Sequence, residues 1–350
     1  MSDVDIFHAP RDFEFHDFDT RNVTASDGGT ATLRFPRLDA DAVHALAASV
    51  RRHRAEKLAR YSTDGIVDVI ARAVELWTDP EYPERRLAER LIPAVTGYDA
   101  SMVRIELKRY MRMFRRRELL RFVDDELNCP QMLDEYRPNR SGGYTRLYGP
   151  ELSFHVFSSN VPGIPVWSMT MGLLTKSAIL GKSSFDEPLM PVLFARSLAS
   201  VDPDMADALA IVPWRGGTVD LEDAAIGEAD AVVAYGSSHT TEAIRPRVRA
   251  GKPFLSYGAK IGFSLIGREA LAPTCMPAPC IVWRSTWPHT TSKAVWRRKP
   301  CSWNVAARCL RRRSPNCLPA NWTGSSANIP VPHRPKRSPW RFSGCVPPRR

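Results

Sequence analysis

The stretch that decides the fold runs from residue 152 to residue 184 and reads LSFHVFSSNVPGIPVWSMTMGLLTKSAILGKSS. It opens with the apolar run LSFHVF, continues through a helical stretch after Pro165, and returns to a second apolar run, SAILGK. Short apolar runs that alternate with helices are typical of βαβ units, whose strands are parallel. The stretch therefore predicts an α/β fold built on a parallel sheet.

The same alternation continues toward residue 271. A helix is predicted over residues 187–200, and further strands are predicted at ALAIVPW (208–214), AVVAYG (231–236), FLSYG (254–258) and IGFSLIG (261–267). In open parallel sheets, ligands bind beyond the carboxyl ends of the strands. Glycine and polar residues gather at those ends, in SSN (158–160), GKS (181–183), WRGG (214–217) and GSS (236–238). We therefore expect a ligand site along this edge, although the dinucleotide fingerprint GxGxxG is absent.

The part of the chain before residue 150 has a different pattern. Apolar residues recur with a helical period in residues 41–60 and 66–78, and a single long helix is predicted over residues 100–127. Pro80 and Pro83 interrupt the pattern. The run Arg115-Arg116-Arg117 has two interpretations, a phosphate-binding patch or a solvated helix face, and the acids around it favour the face.

Composition divides the chain near residue 270. Residues 270–350 contain no Asp or Glu, but 15 Lys/Arg, six of the seven Cys and six of the nine Trp. The whole chain carries +11, so residues 1–269 carry −4, which argues against a nucleic-acid-binding surface. No apolar run is long enough for a membrane span. An acidic N-terminus without an apolar signal region, and Cys129 as the one cysteine before residue 270, favour a cytoplasmic protein.

The predicted organisation has four parts. They are an irregular N-terminal segment (1–40), a helical N-terminal region (41–149), a Rossmann-like cofactor-binding region (150–271) and a disordered tail (272–350).

Three blocks carry a resemblance to a known family. They are the run from His155 to Pro203, the run ADAVVAYGSSHTTEAIRPRV (229–248) and the run FLSYGAKIGFSLIGREAL (254–271). In this order they resemble the acyl-CoA reductase of the bacterial bioluminescence fatty-acid reductase complex, a branch of the aldehyde dehydrogenase superfamily. The resemblance implies an aldehyde-dehydrogenase-like α/β fold with a Rossmann-like cofactor domain and a helical N-terminal part.

The resemblance also implies site residues. Asn160 matches the asparagine whose amide helps to hold the oxyanion, a contact worth roughly 3–4 kcal/mol in such sites. Lys182 matches the lysine that reaches the adenosine ribose of the cofactor. Gly236 and Ser237 match the turn beneath the cofactor pyrophosphate, and Gly216 lines the same pocket. His239 has two interpretations, an acid/base group or a residue at the start of a surface helix, and the second is favoured. No metal site is expected.

The implied activity is reduction of a long-chain fatty acyl-CoA or acyl-protein thioester to fatty aldehyde with NADPH, through a cysteine acyl-enzyme. The resemblance also implies an acyl-protein synthetase and an acyl-transferase as partners, and an aldehyde that feeds luciferase or another pathway. Where hydrolytic aldehyde dehydrogenases carry a Glu-Leu-Gly-Gly base motif, this chain reads Ser256-Tyr257-Gly258. A reductase needs no water-activating base, so this departure favours thioester reduction.

The expected nucleophile block, which resembles YDQQGCLAP, is absent from the chain. A one-base slip of the reading frame near Pro273 allows this block, with third bases chosen among the permitted ones to match the family, and the lost cysteine then arises across the codons of Ala294 and Val295. The fixed third base of Trp provides a check, because the pairs Trp287-Pro288, Trp303-Asn304 and Trp322-Thr323 then encode Ala, Glu and Asp. A frameshift also explains a tail rich in Arg, Pro, Trp and Cys. Without the nucleophile, this chain is expected to be inactive; with the frame corrected, a homo-oligomer is expected.

Other interpretations remain open. A zinc site in the tail would want close cysteine pairs, and the tail contains no CxxC. A basic RNA-binding arm would suit the tail's charge but not its six tryptophans. The alternative function is a truncated, non-catalytic nucleotide-binding protein with a basic tail, and a further alternative is a reductase for a shorter acyl-CoA or a phosphorylated acyl group.

Overall fold

The structure, a computed structural model, describes residues 2–138 and 142–258. The strand predicted at residues 261–267 and the whole tail lie outside the described residues. The strands are β1 (Ser2–Asp5), β2 (Phe18–Thr24), β3 (Thr30–Pro36), β4 (Arg137–Pro138), β5 (Tyr144–Thr145), β6 (Leu152–Val156), β7 (Ala178–Ser183), β8 (Leu209–Pro213), β9 (Ala231–Tyr235) and β10 (Phe254–Tyr257).

The helices are α1 (Ala40–Glu56), α2 (Thr63–Leu76), α3 (Pro83–Thr96), α4 (Ala100–Met113), α5 (Arg116–Leu127), α6 (Gly163–Leu174), α7 (Leu189–Val201), α8 (Pro203–Ala206), α9 (Val219–Glu228) and α10 (Ser238–Ile244). Short 3₁₀ turns lie at Leu58–Arg60, Pro130–Leu133 and Arg245–Arg247.

Five of the strands form the central sheet, in the order β10-β9-β6-β7-β8. Every neighbouring pair in it is parallel, which confirms the α/β fold with a parallel sheet. Side chains of β7 alternate between two apolar cores, with Ile179 in one and Ala178 and Leu180 in the other. Helices α6 and α7 contribute to the first core and α1 and α9 to the second. Because both faces are covered, the strands need continuous apolar runs rather than an alternating pattern.

Gly181 lies in the middle of β7, where its lack of a side chain is a packing requirement. A Cβ at this position would lie 2.7 Å from Ile211 Cδ1 and 2.7 Å from Phe157 Cε2. Glycine normally weakens a strand. Here it lets the Phe157 ring cross β7 just before the chain turns toward Asn160.

The helical N-terminal region is observed, but the single helix predicted over residues 100–127 is wrong. Helix α4 ends at Met113, and α5 begins at Arg116 after an extended Arg115. Phe114 turns into the core at this break, where it is almost fully buried and its ring lies 5.8 Å from that of Trp167. Neither Gly nor Pro marks the break, so the residue pattern carried no signal for it. Pro83 starts α3 at its first position, which suits its fixed backbone angle.

The prediction that residues 1–40 are irregular is also wrong. Strands β1, β3 and β2 form a second sheet, in which β1 and β3 are parallel and β3 and β2 antiparallel. Strand β3 buries Ala31, Leu33 and Phe35, whereas β2 is polar and largely open to solvent. The turn between them contains Asp27-Gly28, and Gly28 has a φ of +80°. That dipeptide is the hairpin signal that an interpretation based on polarity overlooks.

The N-terminal segment also reaches the central sheet. His8 pairs with Ile211 of β8 through two backbone hydrogen bonds, of 2.9 and 2.7 Å. This contact covers part of the edge strand β8, a position at which an open strand would invite further pairing. Among the described residues, no helix combines the length and apolar character needed to cross a membrane.

Gly163, the first residue of α6, should not tolerate alanine. A Cβ there would lie 2.4 Å from two atoms of the Tyr110 ring. We expect Gly163→Ala to lower the free energy of unfolding by about 1–3 kcal/mol, as overpacked cores do, when measured by urea denaturation.

The matched control is Gly227→Ala, in the last turn of α9, where a Cβ meets nothing within 4 Å. Alanine is favoured over glycine in helices by about 0.5–1 kcal/mol, so this change should be neutral or stabilising. An equal loss of stability in both variants would contradict the packing argument. A Tyr110→Ala background should reduce the cost of Gly163→Ala, because the two residues are in contact.

Candidate functional site

All five site residues predicted from the sequence lie along one edge of the central sheet. The turn Gly236-Ser237 follows β9, and the loop that ends at Asn160 follows β6. Lys182 lies near the end of β7, and Gly216 follows β8. Parallel strands end at a common edge, which is why residues far apart in the sequence meet here.

Asn160 ends the loop that leaves β6. Its side-chain oxygen accepts a hydrogen bond of 2.7 Å from the Ser158 hydroxyl, and its backbone oxygen accepts one of 2.9 Å from the Tyr98 hydroxyl. With both oxygens engaged, the side-chain amide nitrogen forms no hydrogen bond with residues 2–138 or 142–258. These two hydrogen bonds hold the loop in place and leave the side-chain amide N–H groups of Asn160 free to donate.

Lys182 is a buried cation with little to balance it. Only 8% of the residue is exposed, and no hydrogen bond or ion pair of its ammonium group is found within the described part of the chain. Burial lowers the pKa of Lys182, and the negative charge of Glu222 opposes that effect. A buried ammonium group is costly unless it is paired, so this site favours an anionic or strongly accepting ligand.

Gly216 and Gly217 form the loop beside Lys182. A Cβ at Gly216 would lie 3.7 Å from the Lys182 ammonium nitrogen, and one at Gly217 would meet nothing within 4 Å. Gly217 has a φ of +87°, a conformation that favours glycine. Its N–H donates a hydrogen bond of 3.0 Å to Glu222, whose carboxylate also pairs with Arg247. The loop therefore leaves open space next to the buried ammonium group.

The Gly236-Ser237 turn starts helix α10. The Ser237 hydroxyl accepts a hydrogen bond of 3.2 Å from the Thr240 N–H and so caps the helix. A Cβ at Gly236 would lie 3.0 Å from Thr240 Cβ, which is tight. His239 is exposed in the first turn of α10, and this confirms its place at the start of a surface helix.

Two arginines that the sequence analysis missed lie near this edge. Arg21 of β2 donates a hydrogen bond of 3.3 Å to the backbone oxygen of Phe185, and the Arg215 guanidinium lies 5.2 Å from the centre of the Phe185 ring. Burial lowers the pKa of Arg21, Asp186 opposes this, and Arg215 adds to it. Arg21 reaches the site from the N-terminal sheet, a placement that no local pattern in the sequence encodes.

A buried polar network lies under the sheet edge. His155 hydrogen-bonds to the Ser168 hydroxyl at 2.6 Å through Nδ1 and to the Ser153 hydroxyl at 2.8 Å through Nε2. Burial lowers the pKa of His155 to about 3, so its imidazole is neutral. Ser168 also interacts with the Tyr235 hydroxyl, so the network joins β6, α6 and β9. It ties the Asn160 loop to the strand that precedes Gly236.

Glu187 is buried just before helix α7. One of its carboxylate oxygens accepts hydrogen bonds of 3.0 and 2.9 Å from the N–H groups of Leu189 and Met190. Within the described ranges, the other oxygen is buried without a partner. Burial raises the pKa of Glu187 to about 7, against the two helix N–H donors that lower it.

Residues 58–278 match the family described as acyl-CoA reductase (LuxC). Curated relatives include two long-chain acyl-protein thioester reductases. The one from Photorhabdus luminescens is 28% identical over 208 residues, and the one from Vibrio harveyi is 24% identical over 211 residues. The matches cover 57% and 59% of this chain but 42% and 44% of those proteins, so the chain spans less than half of their length.

Solved structures of aldehyde dehydrogenases share the fold. Methylmalonate-semialdehyde dehydrogenase (DddC) from Oceanimonas doudoroffii superposes with a TM-score of 0.57 at 19% identity, covering 75% of this chain and 51% of that one. NADP-dependent glyceraldehyde-3-phosphate dehydrogenase from Bacillus halodurans, solved with NADP, gives 0.57 at 15% identity, with 72% and 52% covered. The aldehyde-dehydrogenase-like fold expected from the sequence is thereby confirmed.

The buried carboxyl of Glu187 should make stability depend on pH. Its pKa of about 7 lies above the ordinary value of 4.5, so between these values the native state keeps a proton that the unfolded state has released. Stability should therefore fall as pH rises through this window, by at most about 1.4 kcal/mol per unit for one proton.

The measurement is the free energy of unfolding of the parent and of Glu187→Gln at intervals from pH 5 to pH 8. Glutamine keeps an oxygen for Leu189 and Met190 but does not titrate. The variant should gain stability relative to the parent up to about pH 7 and hold a constant difference above it. Parallel curves across the whole range would show that Glu187 titrates normally.

Proposed function

Because the chain belongs to the acyl-CoA reductase (LuxC) family, we propose that its lineage function is NADPH-dependent reduction of a long-chain acyl thioester to a fatty aldehyde. The overall change is an acyl thioester plus NADPH and a proton giving the aldehyde, the free thiol and NADP⁺. The observation that carries this proposal is the family match over residues 58–278, which spans both Asn160 and Lys182. The aldehyde-dehydrogenase-like fold supports it.

Asn160 is proposed to stabilise the oxyanion of the reacting acyl group. Its amide nitrogen is the group left to donate once Ser158 and Tyr98 have occupied its two oxygens. A donor that is already oriented costs no rearrangement when charge develops on the acyl oxygen, and such donors are worth roughly 3–4 kcal/mol.

Lys182, Gly216, Gly236 and Ser237 are proposed to hold the cofactor, which supplies hydride when bound. Their arrangement fits a dinucleotide in two respects: a buried, unpaired ammonium group beside an open glycine loop, and a glycine turn at a helix start. Arg215 and Arg21 are proposed to favour NADPH over NADH. Both arginines contact Phe185, which follows β7. Arginines at this end of the sheet suit a ribose 2′-phosphate, whereas a carboxylate there suits the free 2′-hydroxyl.

The chain as written is proposed to be inactive. The family chemistry requires a cysteine nucleophile, and Cys129, the one cysteine among the described residues, lies beside the 3₁₀ turn Pro130–Leu133 rather than at the sheet edge. The family match ends at residue 278, eight residues after the start of the acid-free tail and five after Pro273. These observations support out-of-frame sequence after Pro273.

The proposal extends to partners and location. We propose an acyl-protein synthetase and an acyl-transferase as partners, supported by relatives whose names specify an acyl-protein thioester. A cytoplasmic location is supported by the single cysteine in residues 1–269. The competing proposal is a non-catalytic nucleotide-binding protein with a basic tail.

The frame proposal is tested by sequencing genomic DNA from the codon of Leu265 to beyond that of Arg350. We expect a one-base insertion or deletion near the codons of Ala272–Thr274, with the corrected frame encoding the DQQGCLAP block. We also expect the present chain to form no aldehyde from tetradecanoyl-CoA and NADPH. Aldehyde formation by this chain would overturn its proposed inactivity, and an intact frame with saturable NADPH binding would favour the non-catalytic protein.

The cofactor proposal is tested by titrating the full chain with NADPH and following nucleotide fluorescence. Lys182→Met should weaken NADPH binding roughly 10- to 100-fold, because a charged hydrogen bond is worth about 1.5–3 kcal/mol. Lys252→Met is the control, since Lys252 bonds to backbone oxygens of α9 instead. Arg215→Ser should lower the preference for NADPH over NADH without weakening NADH binding. Unchanged NADPH affinity in Lys182→Met would refute the assignment.

A further inference from the structure

The outer surface of helix α4 carries an unusual stripe of side chains. Ile105, Lys108, Arg109, Arg112 and Met113, here called the α4 face, follow the spacing i, i+3, i+4, i+7, i+8 that lines one side of a helix. All five residues are exposed. The opposite side of α4 buries Val103, Leu107 and Met111 in the core.

The region around the α4 face is strongly basic, although residues 1–269 as a whole are mildly acidic. Residues 104–121 contain eight Lys/Arg and two Glu, whereas residues 1–269 carry a net charge of −4. Some of these cations are neutralised, as Arg104 is by Glu89 and Arg116 by Asp64 and Asp68. Four others, Lys108, Arg112, Arg115 and Arg117, form no ion pair within the described ranges of the chain. The excess positive charge is therefore available to a partner.

Apolar side chains lie within this charge. Ile105 is 48% exposed and Met113 is 47% exposed, and both belong to the small group of large hydrophobic residues that the described part of the chain leaves open. Arginine and methionine are enriched in protein interfaces, where apolar anchors lie inside a charged or polar rim. A purely solvating helix face gains nothing from an exposed isoleucine placed one turn before Lys108 and Arg109.

Helix α4 also packs against the segment that carries Asn160. The Tyr110 ring, on the inner side of α4, lies against Gly163. Tyr98, just before the Asp99 cap of α4, donates its hydroxyl to the Asn160 backbone oxygen. Since a helix is about 10–12 Å across, the α4 face lies about one helix diameter from these contacts. A protein bound to the α4 face would therefore lie close to Asn160, the residue proposed to stabilise the acyl oxyanion.

We propose that the α4 face docks an acidic surface of the protein that delivers the acyl thioester. The inference rests on the proposed function, which requires a thioester donor, and adds the surface on which a protein donor binds. The charge supports an acidic partner, Ile105 and Met113 supply the apolar anchors, and the contacts of α4 connect this surface to the Asn160 loop. Docking brings charges together and breaks no covalent bond, so it needs no active nucleophile in this chain.

The test measures binding of an acyl-protein synthetase, purified and charged with a tetradecanoyl group, to the immobilised full chain at 50 and 300 mM NaCl. We expect saturable binding that weakens with salt. The double variant Lys108→Glu/Arg112→Glu should weaken it by at least about tenfold at low salt, and Ile105→Asp should weaken it at both salt concentrations.

The matched control is Arg60→Glu/Arg249→Glu, which makes the same change in net charge at two exposed arginines outside α4 and the α4 face. It should bind within about twofold of the parent, since only long-range charge is altered. Circular dichroism of every variant guards against misfolding. Equal loss in both double variants, unchanged binding in the α4 variant, or no binding by the parent would each overturn the proposal. So would preferential binding of the α4 face to anionic lipid vesicles.

NADPH titration of the same samples separates this inference from the proposed function. The α4 variants should bind NADPH as the parent does, because none of their residues lies at the sheet edge. If the parent chain binds NADPH but does not bind the synthetase, the docking surface alone is refuted. A parent that docks the synthetase but does not bind NADPH would refute the cofactor proposal and leave the docking surface standing.

Discussion

The hydrogen bond of 3.0 Å from the Phe157 N–H to the Lys182 carbonyl oxygen is the contact on which the site depends. It continues the parallel pairing of β6 and β7 one residue beyond β6, to the point where the chain turns toward Asn160. The pairing forces the Asn160 loop and Lys182 to share an edge. Gly181 makes this possible, because any side chain there would collide with the Phe157 ring. The closeness of the Asn160 loop to Lys182 is thus set by the backbone pairing of β6 with β7 and by the absence of a side chain at Gly181.

Three ionisable groups are buried near this edge, each in a different environment. His155 is buried as a neutral ring between two serine hydroxyls, and burial lowers its pKa. Glu187 is buried against helix N–H donors, which offset only part of the desolvation. Lys182 is buried beside open space. The first two groups are hydrogen-bonded within the scaffold, whereas the Lys182 ammonium group forms no hydrogen bond or ion pair with any of the described residues.

Strands that are buried on both sides could be predicted from the sequence. The strands containing Phe154, Leu180 and Val212 are short apolar runs, and the requirement to cover both faces of a parallel sheet leaves few other interpretations. Prediction failed where a segment had one polar side, as in β2, whose pattern resembles that of a loop. It also failed at Phe114, where a helix breaks because an aromatic ring enters the core. Such a break depends on the neighbouring helix α6, so it has no local signature.

The sequence by itself determined the class of fold, the residues that end each strand of the central sheet, and the sharp difference in charge between residues 1–269 and the tail. These features are local, since they depend on runs of residue types and on their spacing. Only the tertiary structure decided that Arg21 approaches Phe185, that Tyr98 and Tyr110 hold the Asn160 segment, and that Ile105 faces outward among cations. The physical reason is that each of these depends on the packing of elements distant in the chain, and a residue's own neighbours in sequence do not specify what lies across a core from it.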